Sequence, residues 1–128
     1  MAKKEIIISD KLPAPKGPYS PAVRAGGFIF VSGQVPAHIA TGEILQGSIG
    51  EQTELILRNI ETILKTAGSN LARVVKTNVY LTDINDFAAM NKVYATFFAA
   101  DPPARTTIAA ANLPLGVGIE IDVVALEG

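Results

Sequence analysis

The chain contains no cysteine. That removes disulfides, thiolate nucleophiles and cysteine-ligated metals, without by itself separating a reducing compartment from an oxidising one. Histidine is nearly as scarce, with His38 the only one, and a lone histidine cannot supply the clustered ligands of a zinc site or a histidine-rich metal centre. Its setting, Pro36-Ala37-His38-Ile39-Ala40-Thr41-Gly42, reads as a loop, where a solvated histidine is the ordinary case. A Ser-His-Asp triad would have to run through that one residue, and no Gly-x-Ser-x-Gly elbow is present. Charge of one sign is missing too. Eleven Lys and Arg against twelve Asp and Glu leave a formal charge of −1, so there is no basic field to hold nucleic acid or an anionic membrane. No basic leader precedes an apolar stretch, and no run approaches the roughly 18 apolar residues of a membrane span. A soluble, unexported, cytoplasmic protein is expected.

What the sequence does hold is core material. With 128 residues, 48 % hydrophobic and 18 % charged, it suffices for one domain over residues 1–128. Glu5 to Ser9 is a short β-branched strand, followed by a Pro-rich loop from Leu12 to Pro21. Val23–Ala25 and Phe28–Ser32 flank Gly26-Gly27, a dipeptide suited to a tight hairpin turn. Ser48-Ile49-Gly50-Glu51 has capping-box spacing, and Ile49, Ile56, Leu57, Ile60, Ile63, Leu64 and Ala67 share one helical arc that Gly68 ends. Val74 to Leu81 alternates as a strand, with Val75, Thr77, Val79 and Leu81 expected on one face. A second helix aligns Phe87, Met90, Tyr94, Phe97 and Phe98 before Asp101-Pro102-Pro103, with Asn91 inside the apolar arc. Strands Ala104–Ala110 and Ile119–Leu126 follow. The order predicts an α+β fold, a mixed sheet with both helices on one face and each helix joining parallel strands. The other face is left apolar, which points to self-association.

Five polar residues fit bulk solvation poorly. Arg105 opens a strand otherwise free of charge; it can grip a carboxylate bidentately or simply pair with Asp101 or a neighbouring acid. Glu120, between Ile119 and Ile121, is either shielded, with a raised pKa suited to proton transfer, or the commoner outward-facing acid of an amphipathic strand. Asn91 reads as a functional or a satisfied structural amide. Ser32 is a binding group or a strand end, beside Gly33, which admits close approach. Tyr19, in Gly17-Pro18-Tyr19-Ser20-Pro21, is a presented aromatic or a loop anchor.

Gly17-Pro18-Tyr19-Ser20-Pro21-Ala22, Val31-Ser32-Gly33-Gln34, Asn78-Val79-Tyr80-Leu81-Thr82-Asp83 and Pro103-Ala104-Arg105-Thr106-Thr107 with Ile119-Glu120-Ile121 together resemble the RidA (YjgF-type) imine deaminase family. The resemblance spans nearly the whole chain. It implies a chorismate-mutase-like fold and a homotrimer with three clefts between subunits. It also implies hydrolysis of 2-imino or enamine acids, such as 2-iminopropanoate and 2-iminobutanoate, to 2-oxo acids and ammonia. By motif, Arg105 matches the carboxylate-binding arginine and Glu120 the water-activating or proton-handling glutamate. Tyr19, Ser32, Asn91 and Thr107 match positions lining or supporting the cleft, Thr107 through its backbone. No cofactor and no metal are implied, and pyridoxal-phosphate-dependent serine or threonine dehydratases are the implied source of substrate. Two other readings stand beside this one: a non-catalytic or chaperone-like module binding small carboxylic acids, and a ribonuclease or translation inhibitor, which the charge balance disfavours.

Overall fold

In the computed structural model, which describes residues 3–128, Gly26 and Gly27 take φ of 61° and 85°. Glycine, free of a Cβ penalty, adopts two such angles in succession at little cost. They fold Ala22–Ala25 (β2) back onto Phe28–Gln34 (β3), pairing Ala25 with Phe28 and Ala22 with Val31. Glu5–Ile7 (β1) adds to the outside of β2.

The capping box forms as the sequence predicts. Ser48 Oγ accepts from the Glu51 amide at 3.1 Å and Glu51 Oε1 accepts from the Ser48 amide at 3.0 Å, starting helix α1 (Ile49–Thr66). Ile56, Leu57, Ile60, Ile63 and Leu64 are fully buried on its inner side. Each such side chain contributes about 1.5–3 kcal/mol by leaving water, so this stripe fixes the helix to the sheet. Gly68, at φ 84°, turns the chain out of the helix.

Val74–Leu81 (β4) departs from strict alternation. The register jumps between Val74 and Lys76, a β-bulge that puts Val74 inward and leaves Val75 exposed, contrary to the expected inner position. Beyond the bulge Thr77, Val79 and Leu81 point inward as expected. Asp83 Oδ1 accepts from the Asn85 amide at 2.9 Å, capping a short 3₁₀ turn that runs into α2 (Phe87–Phe97). Met90, Tyr94 and Phe98 are buried from the predicted stripe, whereas Phe87 is exposed. Asp101, at φ 47°, then turns the chain into Ala104–Ala109 (β5), and Ile119–Leu126 (β6) closes the fold.

The strands lie in the order β1-β2-β3-β6-β4-β5, antiparallel except for the parallel β4–β5 pair. β3 and β4 both run antiparallel to β6 and so parallel to each other. Each helix therefore joins two parallel strands, and the fold is the expected α+β arrangement with one open mixed sheet. Helix α1 packs on β3 and β6. The Tyr94 hydroxyl and Thr77 Oγ1 meet at 2.7 Å, which places α2 on the same face, over β4. Ile29, Val31, Val79, Leu81, Ile121 and Val123 fill the layer between sheet and helices. The opposite face carries Phe28, Phe30 and Ile108, all exposed, and no element of the described chain covers it. Among the described residues no helix is long and apolar enough to cross a membrane.

Candidate functional site

Residues directly opposite each other in a sheet share a face. Arg105 on β5 lies opposite Thr77 on β4, and Thr77 lies opposite Val123 on β6; Thr77 and Val123 are buried under the helices. Arg105 thus leaves the helix side of the sheet, at its β5 edge. Its guanidinium is built in. Nη1 donates to Asn91 Oδ1 at 2.7 Å, and Cζ lies 4.6 Å from the Tyr94 ring centroid and 5.4 Å from that of Phe87. Helix α2 supplies all three neighbours, because Phe87, Asn91 and Tyr94 recur at helical spacing on one side. Among the described residues no ion pair engages Arg105; the surface pairing with Asp101 that position alone allowed is not made. Two residues along the same face, the half-buried Thr107 has an Oγ1 with no hydrogen-bond partner. Arg105, Asn91 and Thr107 thus form one cluster, a held cation with unused donors beside an orphaned hydroxyl.

Glu120 belongs elsewhere. It lies opposite Tyr80 on β4, and Tyr80 opposite Ile108 on β5, so it leaves the open face. The carboxyl is half-buried. Burial, and secondarily the negative charge of Asp122, push its pKa above the usual carboxylate range. It crosses Gly33, where an added Cβ would stand 2.9 Å from Glu120 Cδ and overlap the carboxylate. This is the close approach that glycine permits.

Glu120, Gly33, Ser32, Tyr19 and His38 line one cavity of ≈ 870 Å³ beneath the Pro-rich loop. Tyr19 is exposed, and its hydroxyl oxygen accepts from the Lys16 amide at 3.3 Å, so the same residue braces the loop and faces the cavity. Ser32 donates its hydroxyl to the Ser20 carbonyl at 2.6 Å, and its amide donates to the Pro21 carbonyl at 3.0 Å. Its proton is committed to pinning the loop, so toward a ligand Ser32 can only accept. His38 is an exposed loop residue, as expected, although it borders the cavity.

The six sequence-derived site residues therefore fall into two half-sites: Tyr19, Ser32 and Glu120 on one side of the sheet, Asn91, Arg105 and Thr107 on the other. Sequence reasoning missed the aromatic pair under Arg105, since Phe87 and Tyr94 read as core. It also missed Asp122, whose oxygens accept from Asn78 Nδ2 at 2.8 Å and from the Tyr80 hydroxyl at 2.9 Å. The alternation Glu120-Ile121-Asp122 was the available signal. Among the described residues no group of three or more His, Cys, Asp or Glu is placed to hold a metal ion.

Comparison with known proteins places this geometry in a family. The model described as endoribonuclease L-PSP matches residues 9–127. A RutC family protein of Pyrococcus abyssi is 49 % identical over 97 % of this chain and 98 % of its own. Reactive Intermediate Deaminase A of Arabidopsis thaliana, a chloroplastic protein, is 42 % identical over 96 % of this chain and 66 % of its own. Among solved structures, Escherichia coli TdcF with bound serine superposes with a TM-score of 0.90 at 37 % identity, covering 97 % of this chain and 99 % of that one. The match is continuous from the Pro-rich loop to the end of β6, so the chain belongs to the RidA (YjgF-type) family that the endoribonuclease L-PSP model describes.

Proposed function

We propose that the protein hydrolyses short 2-imino acids, 2-iminopropanoate and 2-iminobutanoate among them, to 2-oxo acids and ammonia. The observation that carries this reading is Arg105: a half-buried guanidinium, oriented by Asn91, Tyr94 and Phe87, with no carboxylate partner among the described residues. A cation so placed and left unpaired is suited to a carboxylate brought by a ligand. The serine bound to the Escherichia coli relative carries such a group, and a plant relative is named a reactive intermediate deaminase.

The reading requires a second copy of the chain. Arg105 and Glu120 leave opposite faces, so the site assembles only where the β5 edge of one protomer meets the Glu120 cavity of another. The exposed Phe28, Phe30 and Ile108 support such an assembly, and a homotrimer of the chorismate-mutase-like kind provides three equivalent sites. At each, Arg105 holds the carboxylate and turns the imine carbon toward a water beside Glu120. The carboxylate takes a proton from that water as its oxygen bonds to the carbon, and returns it to the nitrogen. Glu120 then takes the proton of the new hydroxyl as its oxygen forms the carbonyl and delivers it to the amino nitrogen as the C–N bond breaks, so that ammonia leaves. Imines hydrolyse unaided, so orientation and one proton carrier are enough. Dehydratases that discharge enamines of serine and threonine are the matching source of substrate. An RNA-cleaving role draws no support from a net charge of −1.

The test generates imine in situ with a serine or threonine dehydratase and follows its loss in the presence of a carbonyl-selective trap. Faster loss with the protein is expected; a rate equal to the protein-free control overturns the reading.

A further inference from the structure

Asp122 stands two residues beyond Glu120 on β6, so the two carboxyl groups leave the same open face. No step above uses Asp122, yet it is the better tethered of the two. Asn78 lies directly opposite it and donates Nδ2 to Oδ1 at 2.8 Å; Tyr80, opposite Glu120, reaches diagonally and donates its hydroxyl to Oδ2 at 2.9 Å. Each oxygen has its own donor on a rigid neighbouring strand, so the carboxylate cannot swing. Among the described residues the Glu120 carboxylate accepts no hydrogen bond and makes no ion pair, and it lies across the bare backbone of Gly33. Two neighbouring carboxyl groups in such different surroundings divide the work: one is a fixed charge, the other a proton carrier.

We infer that Asp122 is a positioning residue for the reaction, a negative charge fixed by Asn78 and Tyr80 that strengthens Glu120 as a base. The inference rests on the reading of Glu120 as proton carrier. The fixed charge opposes ionisation of its neighbour, in the same direction as burial. Tyr80 is held as a donor, since burial and its bond to Asp122 raise its own pKa above the ordinary phenol value. From the remaining elements, Tyr19 and Lys16 of the Pro-rich loop and His38 of the following loop share the cavity that Glu120 lines. In the proposed assembly Arg105 of the adjoining copy faces it as well. None of these is an anion, which leaves Asp122 as the negative charge acting on Glu120.

The test is a carboxyl-carbon NMR titration of the assembled protein, with the Glu120 signal assigned by its loss in Glu120→Gln, alongside the pH profile of kcat/KM. In Asp122→Asn the Glu120 midpoint should move to lower pH, and the acid limb of the profile should move with it. The plateau should fall roughly three- to tenfold, because a weaker base accepts the water proton less readily. Asp122→Glu keeps a charge and should hold the midpoint near the parent's. Tyr80→Phe keeps the charge but frees one oxygen, and should displace it less than Asp122→Asn. An unmoved Glu120 signal in Asp122→Asn overturns the inference even if activity is lost, since the loss is then structural. If Asp122→Asn fails to fold, equal displacements in Asp122→Glu and Tyr80→Phe would overturn it, and the predicted ordering would sustain it. A parent without deaminase activity would defeat the reaction assigned above, and the titration would still decide the coupling.

Discussion

Arg105 and Glu120 project from opposite faces of the same sheet. The pairings Arg105–Thr77–Val123 and Glu120–Tyr80–Ile108 run across β5, β4 and β6, and the first lies under the helices while the second lies on the open side. No rotamer of either side chain crosses the sheet between them. A substrate small enough to be held by its carboxylate and attacked at the adjoining carbon cannot touch both in one protomer. The proposed arginine grip and proton transfer are therefore separable, and each can be tested by itself.

Lysine should not replace Arg105. An ammonium keeps the charge but has neither the fork that meets both carboxylate oxygens nor the plane that lies against Tyr94. Arg105→Lys should lower kcat/KM by about 10²-fold, roughly 2.7 kcal/mol, and Arg105→Ala by more. A substrate whose carboxylate is replaced by a neutral amide should be poor for the parent and little affected by either substitution. Equal fractional losses on acid and amide, measured with all three proteins, would show that Arg105 does not read the carboxylate.

Glu120→Gln should separate activity from stability. An amide keeps the shape but accepts no proton, so turnover should fall by about 10²- to 10⁴-fold. Stability should move the other way. The folded carboxyl has a raised pKa, so between the unfolded and folded values the native state binds more protons than the unfolded one, and stability falls as pH rises through that window. The amide removes that loss. At pH 8 the variant should be the more stable protein, by a margin that solvent screening of a half-exposed group keeps small. Thermal unfolding at pH 4 and pH 8 checks it: the variant's advantage should shrink at the lower pH, and an advantage that grows there would contradict the assignment.

Much of the fold was legible because local signals agreed with tertiary demand. The Gly26-Gly27 turn, the Ser48/Glu51 capping box and the apolar arc of α1 each form where the pattern puts them. The exceptions are places where a non-local contact decides. The bulge at Val75 is set by how β4 meets β6, which a single strand's alternation does not encode. The site was half legible for the same reason. Arg105 and Glu120 stood out as charges in apolar strands, but which face each takes depends on register across three strands, and Phe87 and Tyr94 look like any other aromatic stripe until the arginine is seen lying against them.

Gly33→Ala tests whether Glu120 must occupy its observed place. The new Cβ would overlap the carboxylate, which must then shift away from the cavity wall it crosses. Displacement of a catalytic group by about 1 Å costs up to about 10²-fold, so kcat should drop by one to two orders of magnitude with the fold intact. Circular dichroism and sedimentation matching the parent, combined with parental turnover, would mean that the carboxylate works from a different position.

The split between faces can be tested most directly by mixing two inactive proteins. Arg105→Ala keeps Glu120, and Glu120→Gln keeps Arg105. If each site takes its arginine from one protomer and its glutamate from the next, a site is intact whenever a Glu120→Gln protomer presents its β5 edge to an Arg105→Ala protomer. With random co-assembly of equal amounts that happens at about one site in four, so the mixture should recover about a quarter of parental activity after joint refolding. Mixing without subunit exchange should recover nothing, which controls for residual activity of either variant. A chain carrying both substitutions should remain inactive and should not be rescued by itself. Activity absent from the jointly refolded mixture, with hybrid oligomers confirmed by native mass spectrometry, would mean that Arg105 and Glu120 of adjoining protomers do not meet at one site; since one protomer cannot bring both to the same substrate, the assignment of Arg105 and Glu120 to a shared reaction would have to be given up.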